Sequence, residues 1–481
     1  MKLEPLFDLI NSLTMSEKRF FKIFSQRHVI GETNQYLLLF DFIDSNFPMN
    51  NEVLEKQDFV KNLSAEKNYL YRLILKSLNS YYFEFSYKMK VQNMIISSEI
   101  LAYKGLEIQA LKLLEKAEKL AEEAELYPVL LTIKQTQFET LSKINKYGKA
   151  QELLKENDSI IQKQVNLIDI QAKTTHLYEL RQKQGAIRTS EELDDINKLV
   201  ESQYLQGFDS KKSSLFQFSL NVSYSHAIKD FESELKHLKD IIGLYENNTF
   251  LIEYSVKGYV SSLYNLANTY RNINDFDNAL KVLNKIDIVK SDKLISTSKS
   301  VSAYLFYLSN NLRLFIFILK NEYKKALQHY ESIKVEYDSH DKNIDTTVVY
   351  EHLILIIRIL MEQKIYKPAL QYSNVIINDT TYNKREDILS FIRLLNLVIH
   401  FELKNDLTID YLSSSAFNYL KRRQRLFKTE KEIISFIKKY GLEKKIQLIK
   451  INENLKELKK DPFEKNMFNF FDFQKWVESK L

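Results

Sequence analysis

The sequence predicts an all-α protein, an α-solenoid of stacked antiparallel helix pairs with a helical unit at each end. Glycine and proline, which interrupt helices, number only 8 and 5 among 481 residues. Apolar residues recur at helical spacing in paired stretches, and an alanine recurs near the start of the second helix of successive pairs. A chain this long exceeds one ordinary core, so the recurrence favours a repeat array.

The stretch 259–286 shows the pattern most clearly. Two apolar stripes at helical spacing flank a turn at 272–275. Ala267 and Ala279 are small where the two helices must approach each other. The stretch resembles a tetratricopeptide (TPR) repeat, whose signature positions are matched in order by Leu263, Leu266, Ala267, Tyr270, Phe276, Ala279 and Leu283. The resemblance implies a helical scaffold and says little about chemistry.

The second helix of each predicted pair begins near an alanine, and an aromatic residue precedes it by three positions in four cases. The alanines are Ala110, Ala150, Ala279, Ala326 and Ala369, and the aromatic residues are Tyr147, Phe276, Tyr323 and Tyr366. Successive alanines lie 40, 129, 47 and 43 residues apart. Two degenerate pairs, at about 165–205 and 215–246 with a loop at 207–214, are predicted to fill the long gap. About six pairs are expected between residues 93 and 404.

Residues 1–90 are predicted to form a separate helical unit before the array, which spans 91–404. Thr14 and Glu17 have the spacing of a capping box, and Ser64 is predicted to open a helix that runs to about Tyr87. The unit either caps the first pair or forms a helix-turn-helix. In the second case the residues offered to DNA are Lys67, Asn68, Arg72 and Lys76.

Residues 405–481 are predicted to form a basic helical cap, because the net charge of +6 arises beyond residue 400. A helix from about Ile409 to Phe427 is expected to expose a basic patch, which is either a solvated face or a site for phosphate or carboxylate. The patch consists of Lys421, Arg422, Arg423, Arg425 and Lys428.

The C-terminal tail is rich in aromatic residues. It contains Phe463, Phe468, Phe470, Phe471, Phe473 and Trp476, the only tryptophan of the chain. An exposed cluster of this size would be an association site. The alternative, a terminal helix that closes the last repeat, is the commoner use of such residues.

The composition argues against an enzyme. No glycine lies in a phosphate-binding pattern, the chain has no cysteine, and the eight histidines are scattered without metal-ligand spacing. We therefore expect no catalytic residues, no cofactor and no metal. The N-terminus does not resemble a secretory signal, and the apolar runs 312–319 and 353–361 are too short to span a membrane. These features predict a cytoplasmic protein of undetermined oligomeric state.

A partner is expected on the concave groove lined by the first helix of each pair. The predicted groove residues are Tyr264, Asn268, Arg271, Asn311, Phe315 and Arg358. Asn268 matches the asparagine with which peptide-binding TPR domains hold a terminal carboxylate, but Leu308 and Leu312 stand where basic residues would belong. The main hypothesis is an adaptor that binds a protein or peptide. The alternative is a regulator with an N-terminal DNA-binding or effector unit and a TPR-like sensor, with nucleic acid as a possible partner of the basic patch.

The whole chain also resembles a family of uncharacterised bacterial proteins with TPR-like repeats. The resemblance rests on the segments 16–22, 69–76 and 471–480. These segments lie near both ends, and the repeats lie between them. The resemblance implies the fold and no particular activity.

Overall fold

The computed structural model describes eleven stretches of the chain and divides it into two compact units, residues 1–164 and 165–481. All regular structure in the described residues is helical, in 24 helices, which confirms the predicted all-α fold. The two units do not test the predicted boundaries at residues 90 and 404, which remain a prediction. The described stretches are 5–26, 34–46, 51–184, 189–201, 210–289, 299–339, 346–380, 385–440, 445–465, 467–468 and 471–481.

The N-terminal unit begins with a five-helix bundle around a core that contains Phe21, Phe40 and Leu70. The capping box is confirmed, because the Thr14 N–H donates to Glu17 Oε2 at 2.5 Å and the Glu17 N–H donates to Thr14 Oγ1 at 3.3 Å. The helices are α1 (Pro5–Ser12), α2 (Met15–Gln26), α3 (Gln35–Ser45), α4 (Asn51–Glu55) and α5 (Leu63–Tyr81).

The predicted bounds of α5 are wrong at both ends. Asn62, not Ser64, caps the helix, because Asn62 Oδ1 accepts from the Ala65 N–H at 3.2 Å. The helix ends at Tyr81, six residues before the predicted end at Tyr87. Four longer helices follow, namely α6 (Tyr87–Tyr103), α7 (Glu107–Glu123), α8 (Tyr127–Lys143) and α9 (Tyr147–Gln184), of which α9 continues into the second unit.

The C-terminal unit is a succession of helix pairs. After α9 and α10 (Ser190–Glu201) come α11 (Lys211–Ile228) with α12 (Phe231–Asn247), the short α13 (Thr249–Tyr254), and α14 (Val256–Asn272) with α15 (Phe276–Val289). The remaining helices are α16 (Lys299–Leu319), α17 (Tyr323–Ser339), α18 (Thr346–Glu362), α19 (Tyr366–Asn378), α20 (Glu386–Glu402), α21 (Asp406–Arg422), α22 (Lys428–Lys439), α23 (Lys445–Leu458) and α24 (Phe473–Glu478).

One kind of turn joins the helices of a pair. In nine described turns a single residue adopts positive φ, and the N–H of the next residue bonds to the carbonyl five positions back at 2.8–3.1 Å. This is the Schellman arrangement that ends a helix. The residues with positive φ are Gly105, Glu125, Asn145, Lys229, Asn274, Asn321, Lys364, Lys404 and Gln424.

The turn fixes which residue enters the contact between the paired helices. The residue five positions after the one with positive φ is an alanine in five turns, and all five predicted alanines are buried. Each of the four predicted aromatic residues is the first residue of its helix, three positions before the alanine. The pairing period read from the sequence is therefore confirmed at these positions.

The prediction for the gap between Ala150 and Ala279 is partly wrong. Helix α9 runs unbroken from Tyr147 to Gln184, through the start predicted for the first degenerate pair at 165. Helix α11 begins at Lys211, inside the predicted loop at 207–214, of which residues 207–209 lie outside the described residues. The second degenerate pair is present as α11 and α12.

The aromatic tail packs into the core of the C-terminal unit. Phe468, Phe471, Phe473 and Trp476 are buried, and Trp476 Nε1 donates to Glu402 Oε1 at 2.7 Å. Phe463 is half-buried, and Phe470 lies outside the described residues. This burial supports the interpretation of the tail as a terminal cap.

Among the described residues, one segment, Val301–Leu319 of α16, has the length and hydropathy needed to cross a membrane. Within the fold, 67% of it is buried, and the core helix of a soluble protein meets the same criteria.

Candidate functional site

The first helices of three successive pairs form a mixed aromatic and charged surface, here called the first-helix face. It consists of Ser261, Tyr264, Asn268 and Arg271 of α14, Tyr304 and Phe315 of α16, and Glu351 of α18. The Arg271 guanidinium lies over the Phe315 ring, 4.1 Å from its centroid, and donates to Asn272 Oδ1 at 2.7 Å. The Ser261 and Tyr304 hydroxyls lie 3.3 Å apart.

The charges on this face influence one another across neighbouring helices. Burial lowers the pKa of Arg271 to about 10, while Tyr264 and Glu351 favour its charged form. Burial, and then the charge of Glu351, raise the pKa of Tyr264 above its usual value. Glu351 in turn lies 3.4 Å from Arg385 Nη1 at the start of α20, and Arg385 also pairs with Asp387 at 2.6 Å. The face therefore carries alternating charges and presents no single sign.

Two of the six predicted groove residues are buried. Asn311 is 4% exposed, and its side chain donates to the Val348 carbonyl at 3.3 Å and contacts His352 Nδ1 at 2.5 Å. Arg358 is 8% exposed. The prediction that they face the groove is wrong because α16 and α18 are packed on almost all sides, so inward-facing positions become core positions. Tyr264, Asn268 and Arg271 are half-buried, and Phe315 forms the base on which Arg271 stacks.

The predicted basic patch does not form one stripe on one helix. Lys421, Arg422 and Arg423 are exposed at the end of α21, and Arg423 pairs with Glu386. Arg425 is 8% exposed, so its predicted exposure is wrong. Gln424 adopts positive φ and ends the helix, and the Arg425 N–H bonds back to the Leu420 carbonyl at 2.9 Å. Lys428 is exposed but belongs to α22.

The residues of the helix-turn-helix alternative lie on α5. Asn68, Arg72 and Lys76 are exposed, whereas the Lys67 ammonium lies 5.5 Å from the centroid of the Phe7 ring. An exposed polar helix face is compatible with a cap and with a DNA-binding helix alike.

Sequence reasoning missed a buried polar cluster between α11, α12 and α14. Glu234 is 2% exposed, lies 3.0 Å from His226 Nδ1 and accepts from Thr269 Oγ1 at 2.8 Å. It occupies the position five residues after Lys229, where five other turns carry an alanine. A search by turn register instead of residue size would have found it.

A second missed group is His352 on α18, which is fully buried. Its ring stacks on Tyr337 with centroids 4.6 Å apart, and burial lowers its pKa to about 3. The histidine is therefore held neutral between the helices. No group of three or more His, Asp or Glu side chains that could hold a metal ion occurs in the described part of the chain.

Comparison with known proteins identifies no family. No protein-family model matches the sequence, and no curated protein matches it significantly. Among solved structures, the chain is similar to the crystal structure of the P58(IPK) TPR domain, with 12% sequence identity and a TM-score of 0.21 over 81% of this chain and 98% of that one. The TPR-like, all-α character of the chain is evident from its own helix pairs and Schellman turns.

Proposed function

We propose that the chain is a non-enzymatic scaffold that binds a protein or peptide partner through the first-helix face. The observation that carries the proposal is the stack of Arg271 on Phe315, with Tyr264 and Tyr304 beside it. Arginine and aromatic side chains in partly desolvated pockets supply most of the binding energy in protein interfaces. Stacked helix pairs commonly present such a surface to a partner.

The face suits a partner segment with mixed polar and apolar side chains. Tyr264 and Asn268 keep part of their surface exposed, so a partner can still bury them. Because Arg271, Glu351 and Arg385 alternate in sign, opposite charges on the partner would fix its register more than they would add affinity. We also propose a bacterial cytoplasmic location, which fits a chain without cysteine and its resemblance to bacterial proteins.

The test is affinity capture from native cytoplasm with two matched variants of α14. Asn268→Arg places a bulky charge on the first-helix face, and Asn265→Arg makes the same change at an exposed position one turn away. We expect a protein captured by the wild type and by Asn265→Arg to be lost with Asn268→Arg, with or without nuclease.

Equal capture by both variants would contradict a site on the first-helix face. Recovery that is abolished by nuclease and unaffected by Asn268→Arg would instead favour a regulator that associates with nucleic acid through another surface.

A further inference from the structure

The two ends of the helix-pair array in the C-terminal unit touch each other. The Lys229 Nζ, in the turn between α11 and α12, donates to the Pro462 carbonyl at 2.6 Å, across 233 residues of sequence. Burial and the nearby Lys465 lower the pKa of Lys229, while Asp461 favours its charged form. The lysine is thus inserted among the residues of the loop that follows α23.

The loop on the receiving side is held firmly. Asp461 Oδ1 accepts from the Phe463 N–H at 2.8 Å and the Glu464 N–H at 3.2 Å. The Glu464 carboxylate accepts from the Lys428 N–H at 3.1 Å and from Thr429 Oγ1 at 2.7 Å, so it caps α22 from 36 residues away. The Pro462 carbonyl is therefore presented by a loop anchored to the last helix pair.

The first-helix face lies in a recess between these ends. Arg271 of α14 and Glu351 of α18 are close enough to influence each other although α16 stands between their helices. Arg271 and Tyr264 both keep some exposed surface and yet are strongly desolvated by the surrounding protein. This combination describes the wall of a narrow channel better than an open slope.

We propose that the contact of Lys229 with Pro462 is a latch that closes the array around the first-helix face, so that the face admits an extended peptide segment and excludes a folded domain until the latch opens. The inference rests on the proposed function for the identity of the occupant. The latch itself is independent of any partner. A single hydrogen bond is weak enough to open and re-form during binding.

The chain has no cysteine, so a single introduced thiol reports access to the face. Asn268→Cys places it on the first-helix face, and Gln371→Cys is an exposed reference on α19. Each variant is treated with N-ethylmaleimide and with a maleimide carried on a long polyethylene glycol chain. We expect the large reagent to be slowed much more at position 268 than at position 371.

Opening the latch should remove this discrimination. Lys229→Ala in the Asn268→Cys background is expected to reduce the penalty for the large reagent about fivefold, the factor that corresponds to one net hydrogen bond. Lys364→Ala is the matched control, because Lys364 is an exposed lysine with positive φ in the equivalent turn between α18 and α19. The control should leave the penalty unchanged.

The latch is overturned if both reagents discriminate equally at positions 268 and 371, or if Lys229→Ala matches Lys364→Ala. Should Lys229→Ala misfold, a short bismaleimide applied to Lys229→Cys/Pro462→Cys tests the contact directly. An intramolecular cross-link found by mass spectrometry supports the latch, and its absence overturns it. No partner enters these measurements, so their failure is distinct from failure of the proposed function.

Discussion

The pairs α14/α15 and α11/α12 have the same turn geometry and opposite chemistry at the contact between their helices. Asn274 and Lys229 both adopt positive φ, and five residues later stand Ala279, fully buried, and Glu234, 2% exposed. The alanine lets the helices approach through its small size. The glutamate is accommodated because His226 and Thr269 satisfy its carboxylate. The turn register therefore defines the repeat, and the residue at this position can vary if its polar atoms are paired.

The most severe test is to place the glutamate where the alanine belongs. Ala279→Glu would bury a carboxylate between α14 and α15 without the histidine and threonine that serve Glu234. We expect a loss of about 4 kcal/mol or more in the free energy of unfolding, measured by urea titration. Lys281→Glu, at an exposed position of the same helix, is the control and should change little. Equal effects of the two substitutions would show that Ala279 does not lie in the contact.

A smaller effect is expected from His352, a buried polar group between α16 and α18. Its pKa falls from an ordinary value near 6.5 to about 3, so the unfolded chain binds the proton more readily than the folded chain. The contribution of His352 is complete above pH 6.5 and falls by about 1.4 kcal/mol per pH unit as the pH drops toward 3.

Comparison with His352→Gln isolates this contribution. The variant keeps a hydrogen-bonding side chain opposite Asn311 but has no proton to gain. The unfolding free energy of the wild type should decline more steeply than that of the variant between pH 6.5 and 5. Parallel pH profiles would mean that the ring is hydrated or already charged.

The reverse exchange, Glu234→Ala, should cost less than Ala279→Glu. Thr269 Oγ1 would still donate to the Asn265 carbonyl at 2.9 Å, and His226 is partly exposed and can bond to water. We therefore expect a loss of about 1–2 kcal/mol on urea titration. Thr269→Val in the same background should add less than it does alone, because the shared hydrogen bond is already gone. Strict additivity would show that the two side chains do not interact.

The sequence predicted the parts of the fold that depend on residue size and capping chemistry. The five alanines, the aromatic helix starts and the Thr14–Glu17 box follow from the side chains alone. The continuity of α9 was missed although no glycine or proline lies between 149 and 184, because repeat periodicity was favoured over the absence of helix breakers.

The burial of Arg425 and of Asn311 could not be read from local pattern. Gln424 ends α21 in a left-handed conformation that glycine or asparagine usually adopts, so nothing in the sequence marked the turn. Asn311 lies on a helix whose outer side is covered by α18, and that packing depends on residues about 40 positions away. Both errors concern positions where tertiary contacts override local character.

The smallest expected effect concerns the end of α21, where exposed and buried cations lie four residues apart. Lys421 and Arg422 are exposed, so Lys421→Glu/Arg422→Glu should change the free energy of unfolding by less than about 0.5 kcal/mol. Arg425→Glu, four residues from Lys421, changes a buried side chain and should cost several times more. If the exposed pair binds phosphate groups, the double variant should weaken capture of a fluorescent oligonucleotide and flatten its dependence on salt, because fewer counterions are released. Unchanged oligonucleotide binding would identify these cations as a solvated helix end. A large loss of stability in the double variant would contradict their exposure.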